Sequence, residues 1–359
     1  MCKRIMAAQT NTEGGVPFYK IGTIGGKADA YISKDLFDEY KRKYSYPNKG
    51  EVMITCAGTV GKCIIYDGED SYYQDSNIVW IDNPNEIISN DFLYHLLSNI
   101  NWSYLNSTTI VRIYNDDLRN LKLCCPRLDE QKKIARFLSL INERIATQNR
   151  IIEKYKSLIK AILVEHYRKC NKTEQFIHDI GEPFNVMNLS KDDLSKDGNP
   201  CIIYGELFTT YGCVIENVVS HATKSPNSTL STKGDLLFPA STTVDALSLI
   251  APSAINEDGI ILGGDMFGIH VNERNNSNYL SYYFNIIGKK NLAKYAKGST
   301  IIHLHYADIQ NVKITLPNKN EQEAIAKLLL NVEHKLNIEQ KVLANHLNTK
   351  NFLLQQMFI

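Results

Sequence analysis

From Pro126 to Gly181 no other glycine or proline interrupts the chain. Apolar side chains recur there at Ile134, Leu138, Ile141, Ile145, Ile152, Tyr155, Ile159 and Ile162, with Gln148 in one polar slot. Steps of four and three residues, sustained this long, predict a helix carrying a coiled-coil seam. Pro126 just outside it, and Asp129 and Glu130 in its first turn, mark its start. The same register returns at Ile325, Leu329, Val332, Leu336 and Leu343, then Leu347 and Leu354, and predicts a second long helix. Elsewhere the pattern shortens to β-type runs at 52–55, 63–66 and 78–81, followed by a helix at 91–97. Matching runs stand at 236–238, 259–262 and 267–271, followed by a helix near 279–287.

These matches belong to a duplication. Thr109-Ile110-Val111-Arg112-Ile113 reads beside Thr300-Ile301-Ile302-His303-Leu304. At the same offset of 191, Asp117 meets Asp308, Pro126 meets Pro317, Glu130-Gln131 meets Glu321-Gln322, and Ile134-Ala135 meets Ile325-Ala326. Upstream, Lys49–Ile54 aligns with Lys233–Phe238, and Pro17 and Gly22 with Pro200 and Gly205, so the copies differ by loop insertions. A unit this long is a domain rather than a solenoid repeat.

The expected fold class is α+β. It has a strand-rich module at 1–125, a long helix at 126–172, a second module at 173–316 and a second helix at 317–359. The first helix leaves module one and ends at module two, where the second helix begins. If their seams bury each other the pair is antiparallel, with pseudo-twofold symmetry.

Where a scaffold repeats, its loops carry what distinguishes the copies. The loop containing Thr59 and Lys62 in copy one is Ala240–Ala246 in copy two, with Ser241, Thr242 and Thr243. Short polar side chains and glycines at a strand end suit close approach of a base edge or backbone, and equally suit a plain turn. A second loop holds Gln74, Asp75, Ser76 and Asn77, whose amides and carboxylate match adenine and cytosine edges; its partner is Gly263–Met266. A third segment holds Thr108 and Arg112, matched by Ser299, Thr300 and His303, and suits phosphate contact. Lys20 and Tyr204, beside the matched segments at Pro17 and Pro200, complete the candidate set.

Composition narrows the class. Hydrophobic residues are 43% and charged residues 22% of 359, enough for packed cores. Net charge is +1, so bulk charge does not argue for nucleic acid, but residues 127–172 hold 12 basic and 5 acidic side chains. A solvated helix face explains that surplus as readily as phosphate contact. No apolar run is long enough for a membrane span, the start lacks a signal-peptide core, and the cysteines form no C-x-x-C pair; together these suggest a reduced, cytoplasmic protein without membrane association. No Walker loop occurs. Asn83-Pro84-Asn85-Glu86 falls short of the Asn-Pro-Pro-aromatic motif of adenine methyltransferases, and Glu130-Gln131-Lys132 lacks the strand aspartate of a nuclease. His303-Leu304-His305 has Arg112 and Tyr114 at its counterpart, which argues against a metal pair.

The spacing Pro126-x3-Glu130-Gln131-x2-Ile134-Ala135-x2-Leu138, repeated from Pro317 to Leu329, resembles the paired helix starts of type I restriction–modification specificity subunits. Tyr73-Gln74-Asp75-Ser76-Asn77-Ile78 is similar to their target-recognition domains. The resemblance spans nearly the whole chain. It implies a non-catalytic DNA-binding subunit whose two target-recognition domains each read half of a bipartite, asymmetric site in double-stranded DNA. The helices would set the spacing and dock two modification (methyltransferase) subunits, with Glu130, Gln131, Glu321 and Gln322 as docking residues. Restriction subunits would join. No cofactor or metal is expected on this chain; S-adenosylmethionine, ATP and magnesium would sit on the partners. Two other readings stay open: a methylation-only complex, and a duplicated ligand-binding scaffold that does not act on DNA.

Overall fold

A computed structural model describes residues 1–83, 87–105, 112–123, 125–187, 189, 191–223 and 227–357. The chain forms two compact units. One runs from Met1 to Gln148 and takes in the last part of the chain from Val342; the other is Asn149–Lys341.

In the first unit, Val52–Thr55 is the central strand of an antiparallel sheet, between Cys63–Ile65 and Ile78–Ile81. Alternation along it splits the core. Met53 faces one cluster with Phe37, Tyr72 and Ile78, while Val52 and Ile54 face another with Phe92, Leu97 and Trp102. Val16–Tyr19 anchors a second sheet, antiparallel to Ala30–Ile32 and parallel to Tyr72–Tyr73. The helix Asn90–Asn99 is capped by Ser89, whose side chain accepts from Phe92 N.

The second unit repeats this plan. Asp235–Pro239 lies between Ser253–Ile255 and Met266–Val271, both antiparallel. Leu194–Ile203 is antiparallel to Ser220–Ala222 and parallel to Ile261–Gly263. The helix Ser277–Ile286 is capped by Asn276 at the place of Ser89. This topology corrects one sequence match. The counterpart of Cys63–Ile65 is Ser253–Ile255, whereas the 259–262 run contributes Ile261–Gly263 to the other sheet. Ser253 and Ala254 are weak strand formers and gave no run to recognise.

The long helices are Leu128–Lys169 and Lys319–Met357. Leu138, Gln148, Ile152 and Ile159 of the first are buried, as are Ala326, Leu329, Val332 and Leu336 of the second. Leu347 is an exception at 42% exposed, so the seam does not pass through it. Pairing within each unit is antiparallel. In the first, His346 shares a groove with Leu140, Glu143, Arg144 and Thr147, and Lys350 lies near His95, which bonds Ser139 Oγ at 3.2 Å. As the second helix advances, its neighbours on the first recede. In the second unit, Glu321 at the start of one helix acts electrostatically on His166 and Cys170 at the end of the other. Among the described residues no helix is long and apolar enough to cross a membrane.

Candidate DNA-reading edges

Each module gathers its candidate loops through one residue. In module one the Cys56 N–H donates to the Asn77 carbonyl at 2.7 Å, and the Cys56 carbonyl accepts from Ile113 N at 2.9 Å. In module two the Ala240 N–H donates to the Asp265 carbonyl at 2.8 Å, and its carbonyl accepts from Leu304 N at 2.9 Å. The three loops that sequence reading set side by side are thus clasped together by main-chain bonds, which do not depend on side-chain identity. Before each clasp acceptor stands a left-handed residue, Ser76 at φ 52° and Gly264 at φ 92°. Glycine adopts this conformation freely, and serine at some cost.

Around the first clasp, Arg112 donates to the Ser76 carbonyl at 3.3 Å, and Lys62 Nζ donates to the Ile24 carbonyl at 2.5 Å. Lys20 pairs with Asp29 at 3.1 Å. Thr59 and Ser76 are exposed, while Asp75 and Asn77 are half-buried. Gln74 Oε1 accepts from Ile21 N at 3.3 Å, which orients the side chain and leaves the second lone pair of the oxygen and the NH2 donors for a further contact. Thr108 lies outside the described residues. Sequence reading did not anticipate Trp102, 5% exposed and packed so closely on Gly61 that a Cβ there would lie 2.3 Å from its ring.

Around the second clasp, Ser241 and Thr242 pair with His303 and Ile302 in a two-stranded ribbon. Lys297 and His303 exchange backbone bonds of 2.9 and 2.7 Å, which sets the exposed Ser299 and Thr300 in the intervening loop. Tyr204 is 37% exposed and its N–H donates to the Gly263 carbonyl at 3.0 Å. Thr243 is exposed, whereas Ser241, at 8% exposed, is buried in the ribbon.

The helix-start signature also needs correction. Gln131 and Gln322 are each 1% exposed, so in this arrangement neither offers a docking surface. Gln131 Oε1 accepts from Ser89 N at 2.8 Å, and Nε2 donates to the carbonyls of Ile87 at 3.1 Å and Pro126 at 2.9 Å. Gln322 does the same with Asn276 N at 2.9 Å, Asn275 Oδ1 at 3.1 Å and the Pro317 carbonyl at 2.9 Å. Each glutamine fastens the start of a long helix to the cap of the shorter helix in its module. Glu130 is exposed; Glu321 is half-buried, and its Oε2 is buried without a hydrogen-bond partner. Among the described residues no cluster of His, Cys, Asp or Glu could hold a metal ion.

Comparison with known proteins gives a single family. The model of the type I restriction modification DNA specificity domain matches twice, at residues 1–156 and 172–347. A putative type I restriction enzyme specificity subunit of Haemophilus influenzae is 53% identical over 138 residues, which cover 38% of this chain and 36% of that relative. The putative MjaX specificity subunit of Methanocaldococcus jannaschii is 25% identical over 370 residues, covering 94% of this chain and 85% of the relative. In fold, the crystal structure of a type I restriction–modification S subunit from M. genitalium superposes with a TM-score of 0.63 at 16% identity, covering 100% of this chain and 92% of that one. With its domain matched in both halves and the loops clasped alike in each, the chain belongs to the type I restriction–modification DNA specificity family.

Proposed function

We propose that each module reads one half of a bipartite, asymmetric site in double-stranded DNA, and that the chain itself performs no chemistry. The observation that carries this reading is the repeated clasp. It joins three chain segments at one edge of each module by the same pair of main-chain bonds, beside unequal exposed side chains: Thr59, Lys62 and Ser76 in one, Thr243, Ser299 and Thr300 in the other. A shared main-chain clasp suits one docking geometry used twice; unequal side chains suit two different half-sites. The long helices set the spacing between half-sites and dock two modification (methyltransferase) subunits, and restriction subunits complete a cleaving complex. S-adenosylmethionine, ATP and magnesium belong to those partners, in a cytoplasmic assembly. For docking, the exposed Glu130 stays a candidate, whereas the two glutamines act indirectly by fixing the helices they start.

Selection of bound duplexes from a random library by the purified complex tests this. The expected product is one motif of two unlike half-sites around a fixed, unread spacer; enrichment of a single contiguous site, or of none, contradicts it. Spacing has its own test. Four residues inserted between Gln148 and Ile152, matched by four near Glu339, lengthen each helix by about 6 Å. The half-sites should persist with a spacer longer by one or two base pairs, and an active variant with its original spacer removes the helices from that role.

A further inference from the structure

The segments that enter the clasp alternate their side chains. Ile113 and Leu304 point inward, 2% and 0% exposed, so the flanking pairs Arg112/Tyr114 and His303/His305 point outward. Tyr114 and His305 are fixed alike. Each is the N-cap of a short helix, with its N–H donating to a carboxylate three residues on, Asp117 at 2.7 Å and Asp308 at 3.0 Å. Each also lies against its outward neighbour. The Arg112 guanidinium sits 5.7 Å over the Tyr114 ring, and the His303 and His305 rings stack at 6.0 Å with 8° between planes. Asp265 approaches His303 Nδ1 at 3.9 Å from the position that Asn77 holds in module one.

Two features separate base reading from phosphate contact here. A phosphate accepts an arginine from many directions, whereas a guanine edge needs the guanidinium held in one orientation, which the cation–π contact with Tyr114 and the bond to the Ser76 carbonyl favour. The DNA backbone is also the same under both modules, so phosphate contact would favour the same residue in both copies. These copies differ. We infer that Tyr114 and His305 are positioning residues for sequence reading: Tyr114 holds Arg112 to a guanine edge in one half-site, and His305 holds His303 to a different base in the other. This rests on the DNA reading proposed above.

The test uses the complex with its modification subunits and duplexes in which each half-site base is varied singly. Tyr114 is 63% exposed, so its variants should fold. Arg112→Ala should abolish the preference for guanine at one position of one half-site. Tyr114→Ala should lower that same preference about tenfold, and the double variant should lose no more than Arg112→Ala. Tyr114→Phe should retain it, since the ring suffices. His305→Ala should alter the other half-site only. The inference is overturned by uniform weakening across all sequences with a shallower salt dependence, which marks a phosphate contact. It is equally overturned if Tyr114→Ala has no effect, if Tyr114→Phe is as poor as Tyr114→Ala, or if His305→Ala alters the first half-site. An unmodified complex with no sequence preference instead refutes the DNA reading itself.

Discussion

The two modules share one main-chain clasp and present two different surfaces beside it. Cys56 and Ala240 make the same pair of main-chain bonds, yet the residues facing outward beside them are Arg112 and Tyr114 in one module and His303 and His305 in the other. Main-chain hydrogen bonds tolerate any non-proline residue, so the clasp persists while its side chains diverge. The side-chain clamps behave oppositely. Gln131 and Gln322 bond through their own amides, and both copies keep glutamine. The clasp, held by main chain, leaves its side chains free to vary, whereas the clamp depends on the glutamine amide itself.

The largest effect should come from that clamp. Gln131→Glu keeps the shape but replaces an NH2 donor to two carbonyls with a carboxylate. A loss of about 3 kcal/mol or more in unfolding free energy is expected in the first unit, and a similar loss for Gln322→Glu in the second. Denaturant unfolding measures both, and unchanged midpoints would show that the clamps are dispensable. Gly264→Ser follows, at about 2 kcal/mol, because its Cβ would meet Tyr204 Cδ1 at 2.8 Å in a left-handed backbone. The converse change, Ser76→Gly, should stabilise by about 1 kcal/mol, and a loss instead would mean that the serine side chain contributes to its loop.

The smallest effect concerns pH. Burial pushes the Glu333 carboxyl above its ordinary range, against the opposing hydrogen bond from Tyr282. The folded state then holds the proton more tightly than the unfolded one. Stability associated with this group is present below the ordinary glutamate range and is lost as pH rises through the raised folded value. The matching residue of the first helix is Asn142, which does not titrate. Glu333→Gln should therefore flatten the decline in thermal midpoint of the second unit with rising pH, and an unaltered slope would place the titration elsewhere.

Much of this was legible in the sequence. The helices followed from their seam, and Val52–Thr55 and Ile78–Ile81 from runs of β-branched and aromatic residues. The offset of 191 placed Arg112 opposite His303 before any geometry was known. What escaped reading depends on tertiary context. Nothing in Gln74 itself announces that Ile21 N will bond its carbonyl, and the Glu-Gln signature does not say that its glutamine points inward. The strand Ser253–Ile255 is held in place by Asp235–Pro239 rather than by its own propensity. Tyr114 and His305 carried a usable signal, since both sit two residues past the matched Arg112 and His303.

The central claim is that the modules read independently. Replacing residues 1–125 with the corresponding module of a relative of different specificity, in the complete complex, and sequencing the methylated DNA tests it most directly. The account predicts a motif with one half replaced and the other half and the spacer retained; a motif changed in both halves, or in neither, would contradict it.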